Sequence, residues 1–326
     1  MRLLLCQLRN HGDIIRTFPL IDAIKEIHPE WYIGFTCFED MIATCELNTN
    51  IDIIIPQPRF SPVINTEGGT RILDCSIFQD VVETVKREKF DVYIDFHGVF
   101  QSALFGAMCN IETRLGRSHE TAKDGAALFY TDICQISEKE INRMERHFII
   151  TNKLFPEIAP SPISRSLGEN IVIFPGSSKK GILKRWNVEK YVDLVNRLNA
   201  YVNVVIALGI EEQDIKSVFE NQTHCSVKVF TEWKHVEQEI NNAKLVIGND
   251  AAYVHFAVWK KIPTIEICGP LSPTINGVWR YGLGETIYNP VRCKCPNLWQ
   301  GICNRSHECM DEISVEMVYE SAKRFL

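Results

Sequence analysis

Residues 3–27 read LLLCQLRNHGDIIRTFPLIDAIKEI, and this stretch contains the pattern that decides the fold. The short apolar run Leu3–Leu8 has the length of a buried strand, and the polar turn Arg9–Asp13 follows it. Within Ile14–Ile27 the apolar residues recur near helical spacing. A strand, a polar turn and a helix in this order indicate an alternating β/α chain, in which a mainly parallel sheet carries helices on both faces.

The same alternation continues along the chain and restarts once. Before residue 155 we expect strands at Trp31–Thr36, Ile51–Ile55 and Asp91–Phe96, and a helix over Ile72–Glu88. Residues 155–170 contain three prolines and no periodicity, which is typical of a linker. After it we expect strands at Ile171–Phe174, Val202–Leu208, Val227–Phe230, Leu245–Ile247 and Thr264–Ile267, and helices at Val188–Asn199, Glu211–Glu220, Val236–Asn242 and Ala251–Trp259. The prediction is an α/β protein with two Rossmann-like doubly wound domains, residues 1–160 and 161–310.

Length, composition and charge exclude several classes of protein. The 326 residues are 45% hydrophobic and 23% charged, which is enough for two domains with a core each. With 35 Lys and Arg against 41 Asp and Glu, the net charge of −6 argues against a nucleic-acid partner. No polybasic segment and no run near 20 apolar residues is present, so we expect a cytoplasmic protein with at most peripheral membrane contact. Gln7 and Arg9 interrupt the apolar N-terminus, which favours a strand over a signal peptide.

In doubly wound sheets, ligands bind where the strands end, at the point where strand order reverses. Asp13 follows the first strand, and it either caps the next helix or acts as a general base. The loop 175–186 contains PGSSKK and then KRW, whose hydroxyls, amides and cations suit a phosphate, although a solvated lysine-rich loop has the same composition.

A third polar turn, 248–255, reads GNDAAYVH. Backbone amides at the start of the following helix would face an anion. Asp250 could equally be a helix cap and His255 a core histidine. The turn Cys268–Pro273 is rigid enough to form the wall of a pocket.

Together these turns resemble glycosyltransferase family 9, the ADP-heptose:lipopolysaccharide heptosyltransferases. Four anchors occur in the family's order over nearly the whole chain: LRNHGDIIRTFPL at 8–20, the Asp-x-x-Ile-Asp-x-x-Gly pattern at 91–98 with SAL at 102–104, FPGSS at 174–178 with KRW at 184–186, and GND with His255 at 248–255 followed by CGP at 268–270.

The resemblance implies a metal-independent, inverting GT-B transferase without a cofactor, whose two domains face a cleft. The donor, ADP-heptose, would bind the C-terminal domain, and a lipopolysaccharide inner-core sugar would bind the N-terminal one. Asp13 matches the family's proposed base. The donor-binding positions that the resemblance assigns are Ser177, Ser178 and Lys184 for the phosphates, Asp250, Ala251 and Ala252 for the diphosphate and sugar, His255 of the same motif, Glu212 for the ribose and Trp233 for the adenine. Where the family usually has Thr-Gly, this chain has Ala251-Ala252, which leaves the donor sugar open.

Acceptor selection carries no portable motif. Arginines in N-terminal loops could pair with phosphate or carboxylate groups, and among Arg59, Arg114, Arg117, Arg143 and Arg146 we expect Arg114 and Arg117 to bind the acceptor. The last segment, 311–326, is predicted to form a helix that packs back on the N-terminal domain, as in the GT-B resemblance. Its apolar positions Val315, Val318, Ala322 and Leu326 have helical spacing.

Four cysteines near the C-terminus, Cys293, Cys295, Cys303 and Cys309, leave two interpretations open. Four thiols can hold zinc or iron, but Cys-x-Cys is tighter than the usual metal knuckle, and free thiols are the alternative. Other functions also stay open. A protein O-heptosyltransferase would use the same chemistry on a polypeptide, the Ala251-Ala252 change allows a non-catalytic sugar-nucleotide-binding protein, and an epimerase fits the opening turn less well. We expect the protein to be cytoplasmic or peripheral on the inner face of the inner membrane.

Overall fold

The structure is a computed structural model that describes residues 1–59, 63–65, 71–136, 141–161, 168–280, 282–290, 298–303 and 306–326. The chain divides into two compact units, Met1–Ser161 and Pro162–Leu326. The sequence predicts a domain boundary after residue 160, which is one residue before the boundary between the two units. Part of the predicted linker, residues 162–167, lies outside the described residues, as do Cys293 and Cys295.

The first unit is built on a six-stranded parallel sheet in the order β3-β2-β1-β6-β7-β8, with a small antiparallel pair β4-β5. Its strands are β1 Arg2–Cys6, β2 Tyr32–Phe38, β3 Ile53–Gln57, β4 Val63–Asn65, β5 Arg71–Leu73, β6 Val92–Asp95, β7 Thr113–Arg117 and β8 Asp132–Cys134. Its α-helices are α1 His11–Ile15, α2 Phe18–Ile27, α3 Ile42–Cys45, α4 Gln79–Glu88, α5 Phe100–Met108 and α6 Arg143–Thr151.

The second unit repeats this topology with a parallel sheet in the order β11-β10-β9-β12-β13-β14. Its strands are β9 Asn170–Phe174, β10 Val204–Gly209, β11 Ser226–Phe230, β12 Ala243–Asn249, β13 Thr264–Cys268 and β14 Gly284–Tyr288. Its α-helices are α7 Val188–Leu198, α8 Lys216–Gln222, α9 Trp233–Asn241, α10 Ala252–Trp259, α11 Pro273–Asn276, α12 Glu308–Asp311 and α13 Val315–Lys323.

The predicted fold class is confirmed, because each unit has the doubly wound strand order. The central strands are apolar and buried, as expected when helices cover both faces of a parallel sheet. Strand order reverses between β1 and β6, where Cys6 pairs with Asp95, and between β9 and β12, where Phe174 pairs with Gly248. The turns that leave these four strands are therefore neighbours at the carboxyl edge of each sheet.

The sequence predicts a single helix over Ile14–Ile27, but the structure has two helices there, α1 and α2. Pro19 explains the difference. Pro19 lacks a backbone N–H and is tolerated in the first turn of a helix. A new helix therefore begins at Phe18, with Thr17 as its N-cap residue, and Pro19 lies in its first turn. The break leaves α1 as a short helix of five residues that carries Asp13.

Two other predicted helices begin later than expected. The segment Ile72–Glu88 starts with β5, paired antiparallel with β4, and its helix begins only at Gln79. The segment Glu211–Glu220 starts as a 3₁₀ helix over Ile210–Ile215, in which Glu212 has non-helical dihedral angles, and continues as α8. In the second case the interruption allows the Glu212 carboxylate to accept a hydrogen bond from the N–H of Gly209.

Helix α13 packs within the second unit, against α7, β13 and β14. Val318 and Ala322 are fully buried in the core of that unit. The core of its own unit thus covers this part of the apolar stripe, and the expected packing against the N-terminal domain stays a prediction. No helix among the described residues is long and apolar enough to cross a membrane.

Candidate active site

Asp13 lies in the first turn of α1, directly beyond the end of β1, but it is not the helix cap. The N-cap residue is Asn10, which adopts a positive φ of 67° and makes no side-chain capping bond. The Asp13 carboxylate instead accepts hydrogen bonds from Arg16 at 3.0 Å, from Arg143 at 2.8 Å and from the Asn10 amide at 3.0 Å. The side chain remains one-fifth exposed. The capping interpretation is therefore replaced by that of a carboxylate held between two guanidinium groups.

Electrostatics keep this carboxylate ionised. Burial alone would raise the pKa of Asp13, but the charges of Arg143 and Arg16 and the Asn10 hydrogen bond lower it well below its usual range. A carboxylate of so low a pKa carries its charge at every physiological pH. It is also a weaker base than a carboxylate in water.

Four guanidinium cations lie near the carboxylates of Asp13 and Asp95, and we call them the arginine cluster: Arg16, Arg117, Arg143 and Arg146. Arg16 and Arg117 are almost fully buried, while the Arg143 side chain is about one-third exposed. Burial and the charges of Arg117 and Arg143 lower the pKa of Arg146 to about 9, so it stays charged at neutral pH. Because these four cations outnumber the carboxylates of Asp13 and Asp95 beside them, the cluster favours an anionic ligand.

The turn after β6 lies beside the Asp13 turn and is organised by Asp95. This fully buried carboxylate accepts hydrogen bonds from the N–H groups of His97 and Gly98 and from the hydroxyls of Ser102 and Tyr130. Burial raises the pKa of Asp95 although these donors act in the opposite direction. Gly98 has a φ of 67°, and a side chain there would meet the Arg117 guanidinium at 2.4 Å. The turn is therefore rigid and admits only glycine at this position.

The two arginines predicted to bind the acceptor have different surroundings. Arg117 belongs to the arginine cluster and donates a hydrogen bond to the His97 carbonyl at 2.7 Å. Arg114 lies on the same strand, β7, but its guanidinium donates to the backbone carbonyls of Phe129 and Ile111 at 2.9 and 2.6 Å. Its hydrogen bonds tie β7 to the loop before β8. Of the other candidates, Arg59 pairs with exposed Asp40.

In the second unit, the two turns at the point of strand reversal are joined by Asn249, the last residue of β12. Its side-chain oxygen accepts from the Trp186 N–H at 2.9 Å and the Tyr191 hydroxyl at 3.0 Å, and its amide donates to the carbonyls of Pro175 and Gly176 at 2.7 and 3.2 Å. The residue is fully buried. Both ends of the 175–186 loop are thus attached to the turn that carries Asp250.

This attachment brings three of the predicted donor-binding residues together. The Lys184 ammonium donates to the Asp250 carbonyl and lies 3.6 Å from its carboxylate. The other carboxylate oxygen of Asp250 lies 3.1 Å from Nε2 of His255, which is buried in α10. His255 is therefore both a core residue and the partner of Asp250. Lys184 is only 13% exposed, so its charge acts in a partly desolvated setting.

Glu212 approaches the same loop from the end of β10. Its carboxylate accepts from the Gly209 N–H and lies 4.0 Å from Arg185. A methyl group on Gly176 would sit 2.0 Å from the Glu212 carboxyl carbon, so only glycine permits this approach. Burial raises the pKa of Glu212, against the Gly209 hydrogen bond and the Arg185 charge.

Trp233 begins α9 and belongs to an aromatic wall. Its ring lies 5.2 Å from that of Tyr253, which stacks on Phe174 at 4.7 Å. Burial first, and then the charges of Glu212 and Glu211, raise the pKa of Tyr253 to about 12. The aromatic wall can stack on a purine ring, and the buried Glu212 carboxylate beside it can accept hydrogen bonds from a ribose diol.

The remaining predicted donor-binding residues lie in the same two loops of the second unit. The Ser177 hydroxyl is buried and donates to the Gly181 carbonyl at 2.8 Å, so it holds the loop closed. Ser178 is exposed at the start of the 3₁₀ helix Lys179–Lys184. Ala251 is the N-cap residue of α10 and Ala252 its first residue, and both are half-buried.

The cysteine cluster can be followed only in part. Cys309 is buried, and the Cys303 sulfur accepts a hydrogen bond from the His307 N–H. In the part of the chain that the structure describes, no three His, Cys, Asp or Glu side chains converge as metal ligands. Since Cys293 and Cys295 lie outside that part, both interpretations of the cluster stay open.

Several roles in the site were not identified from the sequence, although Arg143 was among the candidate acceptor arginines. Arg16 and Arg143 hold Asp13, Asp95 orders the neighbouring turn, and Asn249 joins the two loops of the second unit. Asp95 and Asn249 stand inside motifs that were recognised, and a polar residue at the end of an apolar strand is a signal for both. Arg143 lies 130 positions from its partner, and no local pattern connects them.

Comparison with known proteins gives a consistent result. A model of glycosyltransferase family 9 (heptosyltransferase) matches residues 158–287. Lipopolysaccharide heptosyltransferase 3 of Escherichia coli is 19% identical over 316 residues, covering 87% of this chain and 90% of the relative. The solved family 9 glycosyl transferase of Veillonella parvula DSM 2008 aligns with a TM-score of 0.75 at 17% identity, over 99% of this chain and 96% of that one. E. coli heptosyltransferase WaaC with ADP aligns over the full length of both chains, with a TM-score of 0.73 and 17% identity.

Proposed function

We propose that this chain, a glycosyltransferase of family 9, transfers heptose from ADP-heptose to a hydroxyl of a lipopolysaccharide inner-core sugar, with Asp13 as the general base. The observation that carries the proposal is the joined pair of loops in the second unit, which brings Lys184, Asp250 and Glu212 to one edge of the sheet beside an aromatic wall. Relatives named as lipopolysaccharide heptosyltransferases and a WaaC structure with ADP-2-deoxy-2-fluoro heptose support the choice of sugar and nucleotide.

In the proposed reaction the acceptor oxygen attacks the anomeric carbon of heptose. The bond from that carbon to the β-phosphate oxygen breaks, and ADP leaves with the electron pair. Lys184 offsets the negative charge that develops on the leaving diphosphate. Glu212 accepts hydrogen bonds from the ribose hydroxyls, and Trp233 and Tyr253 flank the adenine.

The proton of the acceptor hydroxyl passes to the Asp13 carboxylate. Because the pKa of Asp13 is low, this transfer occurs late, when the attacking oxygen is already bonded to carbon and has become strongly acidic. The arginines that lower the pKa also serve the acceptor. Arg117, Arg143 and Arg146 bind its carboxylate or phosphate groups, which keeps the reacting hydroxyl close to Asp13.

A transfer assay tests this function. The purified chain is incubated with ADP-heptose and a deacylated lipopolysaccharide core that lacks heptose, and the product mass is measured. We expect the addition of one heptose residue, and much slower transfer from GDP- and UDP-linked sugars. A polypeptide that receives heptose while the core does not would identify a protein O-heptosyltransferase. ADP-heptose binding without transfer or hydrolysis would identify a non-catalytic binder.

A further inference from the structure

His97 lies in the turn after β6, at the carboxyl edge of the sheet where the Asp13 turn also lies. Its main chain is fixed on both sides, since its N–H donates to Asp95 at 2.9 Å and its carbonyl accepts from Arg117 at 2.7 Å. The imidazole is half-buried. The ring is close enough to Asp13 for that charge to act on its pKa.

The hydrogen bonds of Gln7 determine which ring nitrogen of His97 carries the proton. The amide nitrogen of Gln7 lies 3.1 Å from Nδ1 of His97 and 3.5 Å from the Arg9 carbonyl. A carbonyl oxygen only accepts, so the atom of Gln7 that faces both groups is the donating amide. Nδ1 of His97 therefore accepts, and the proton of the neutral ring is on Nε2.

The ring is also kept neutral. Burial is the main cause, and the charges of Arg9, Arg117 and Lys123 add to it, while Asp13 acts in the opposite direction. Together they lower the pKa of His97 to about 4. At neutral pH the side chain is thus an uncharged donor with a fixed direction. Among the described residues, Nε2 has no hydrogen-bond partner.

We propose that Nε2 of His97 binds the acceptor by donating a hydrogen bond to a neutral sugar oxygen, a ring oxygen or a hydroxyl next to the one that reacts. This inference rests on the proposed function and extends it to acceptor recognition. The arginine cluster supplies the charge that attracts an anionic sugar, but cations discriminate poorly between neighbouring hydroxyls. A neutral donor held by Gln7 and Asp95 selects for the position of one oxygen, because a sugar without it leaves Nε2 unpaired.

Two substitutions at this position separate the hydrogen bond from packing. His97→Asn keeps a polar group where Nδ1 meets Gln7 but removes the Nε2 donor. His97→Gln extends an amide to the place of Nε2 and retains a donor there. We expect His97→Asn to raise the acceptor KM about tenfold, the value of one hydrogen bond, with the donor KM unchanged and kcat altered less than threefold. His97→Gln should bring the acceptor KM back most of the way. His224→Asn, at an exposed histidine of the second unit, is the matched control.

An acceptor KM within twofold of wild type in His97→Asn would overturn the inference. So would an equal loss in both His97 variants, because packing would then explain it. A second measurement uses wild-type protein labelled with ¹⁵N-histidine. The free protein should show the Nε2–H tautomer at pH 7, and the deacylated heptose-free core should shift the Nε2 resonance while ADP alone does not. An Nδ1–H tautomer or an unmoved resonance contradicts the inference even if transfer occurs. A shifted resonance without any transfer contradicts the proposed function alone.

Discussion

Replacement of Asp13 by asparagine tests the proposed base, and the structure shows that it must also affect stability. The amide keeps the shape of the side chain but loses the charge that faces Arg16 and Arg143. Arg16 is almost fully buried, so loss of the Asp13 charge beside it costs about 1–2 kcal/mol. The more exposed Arg143 pair adds at most about 1 kcal/mol. We therefore expect a loss of about 1–3 kcal/mol, which lowers Tm by roughly 2–12 °C in a unit of this size.

The effect on catalysis should be larger than this. Loss of a general base typically lowers kcat by 10²–10⁴-fold, roughly 3–5 kcal/mol of transition-state stabilisation. Initial rates at saturating donor and acceptor give kcat, calorimetric titration with ADP gives donor affinity, and circular dichroism gives Tm. We expect Asp13→Asn to lower kcat within this range with ADP affinity unchanged.

Arg16→Met is the matched control, because it breaks the same ion pair from the other side and keeps the carboxylate. It should lower Tm by a similar amount, but kcat by less than tenfold. If both variants lose kcat to the same extent, Asp13 acts through structure alone. If Asp13→Asn retains kcat within threefold of wild type, the proposed mechanism is refuted.

Three further outcomes follow from contacts described above. Asn249→Asp removes both amide donors and sets a charge against two carbonyls, so we expect about 3–4 kcal/mol lower stability in urea unfolding and at least tenfold weaker ADP binding; wild-type values for both would contradict its joining role. Glu212→Gln should raise the donor KM about tenfold at nearly unchanged Tm, and an unchanged donor KM would remove Glu212 from the ribose site. For His147, burial and the charge of Arg146 lower the pKa to about 3, so the unfolded chain binds more protons between pH 3 and 6.5 and stability falls on acidification, by about 2 kcal/mol from pH 7 to pH 5. His147→Asn keeps a donor for the Arg16 carbonyl and should flatten this part of the urea-unfolding profile.

The fold could be predicted because local patterns of apolar and polar residues indicate its strands, turns and helices. Apolar runs such as Leu3–Leu8 and Ile171–Phe174 have the length of strands buried on both faces, and polar turns separate them from helices. The errors occurred where one residue overrides the periodicity. Pro19 divides the first helix in two, and Glu212 interrupts the helix before α8 by bonding to the backbone.

The site was predictable only to the extent that it lies in turns after strands. Ser177, Lys184 and Asp250 could be predicted as site residues because motif and strand end coincide. The surroundings of Asp13 could not, since its partner Arg143 comes from a helix far along the chain. Arg114, which stays a predicted acceptor-binding residue, makes hydrogen bonds to backbone carbonyls that its sequence position did not indicate. Sequence pattern gives the identity of a side chain, whereas its partners depend on tertiary packing.

The bonds from α6 to the Asp13 turn also bear on how the protein is made. Arg143 reaches Asp13 across 130 positions, and His147 reaches the Arg16 carbonyl across 131. A ribosome adds about 5–20 residues per second, so on the order of 10 s separates the emergence of the two partners. During that interval the nascent chain already has its first strand but lacks Arg143 and Arg146, two of the cations proposed to bind the acceptor. The arrival of α6 completes the first unit, and synthesis of the second begins only afterwards, so a chain truncated before α6 would leave Asp13 without its Arg143 partner.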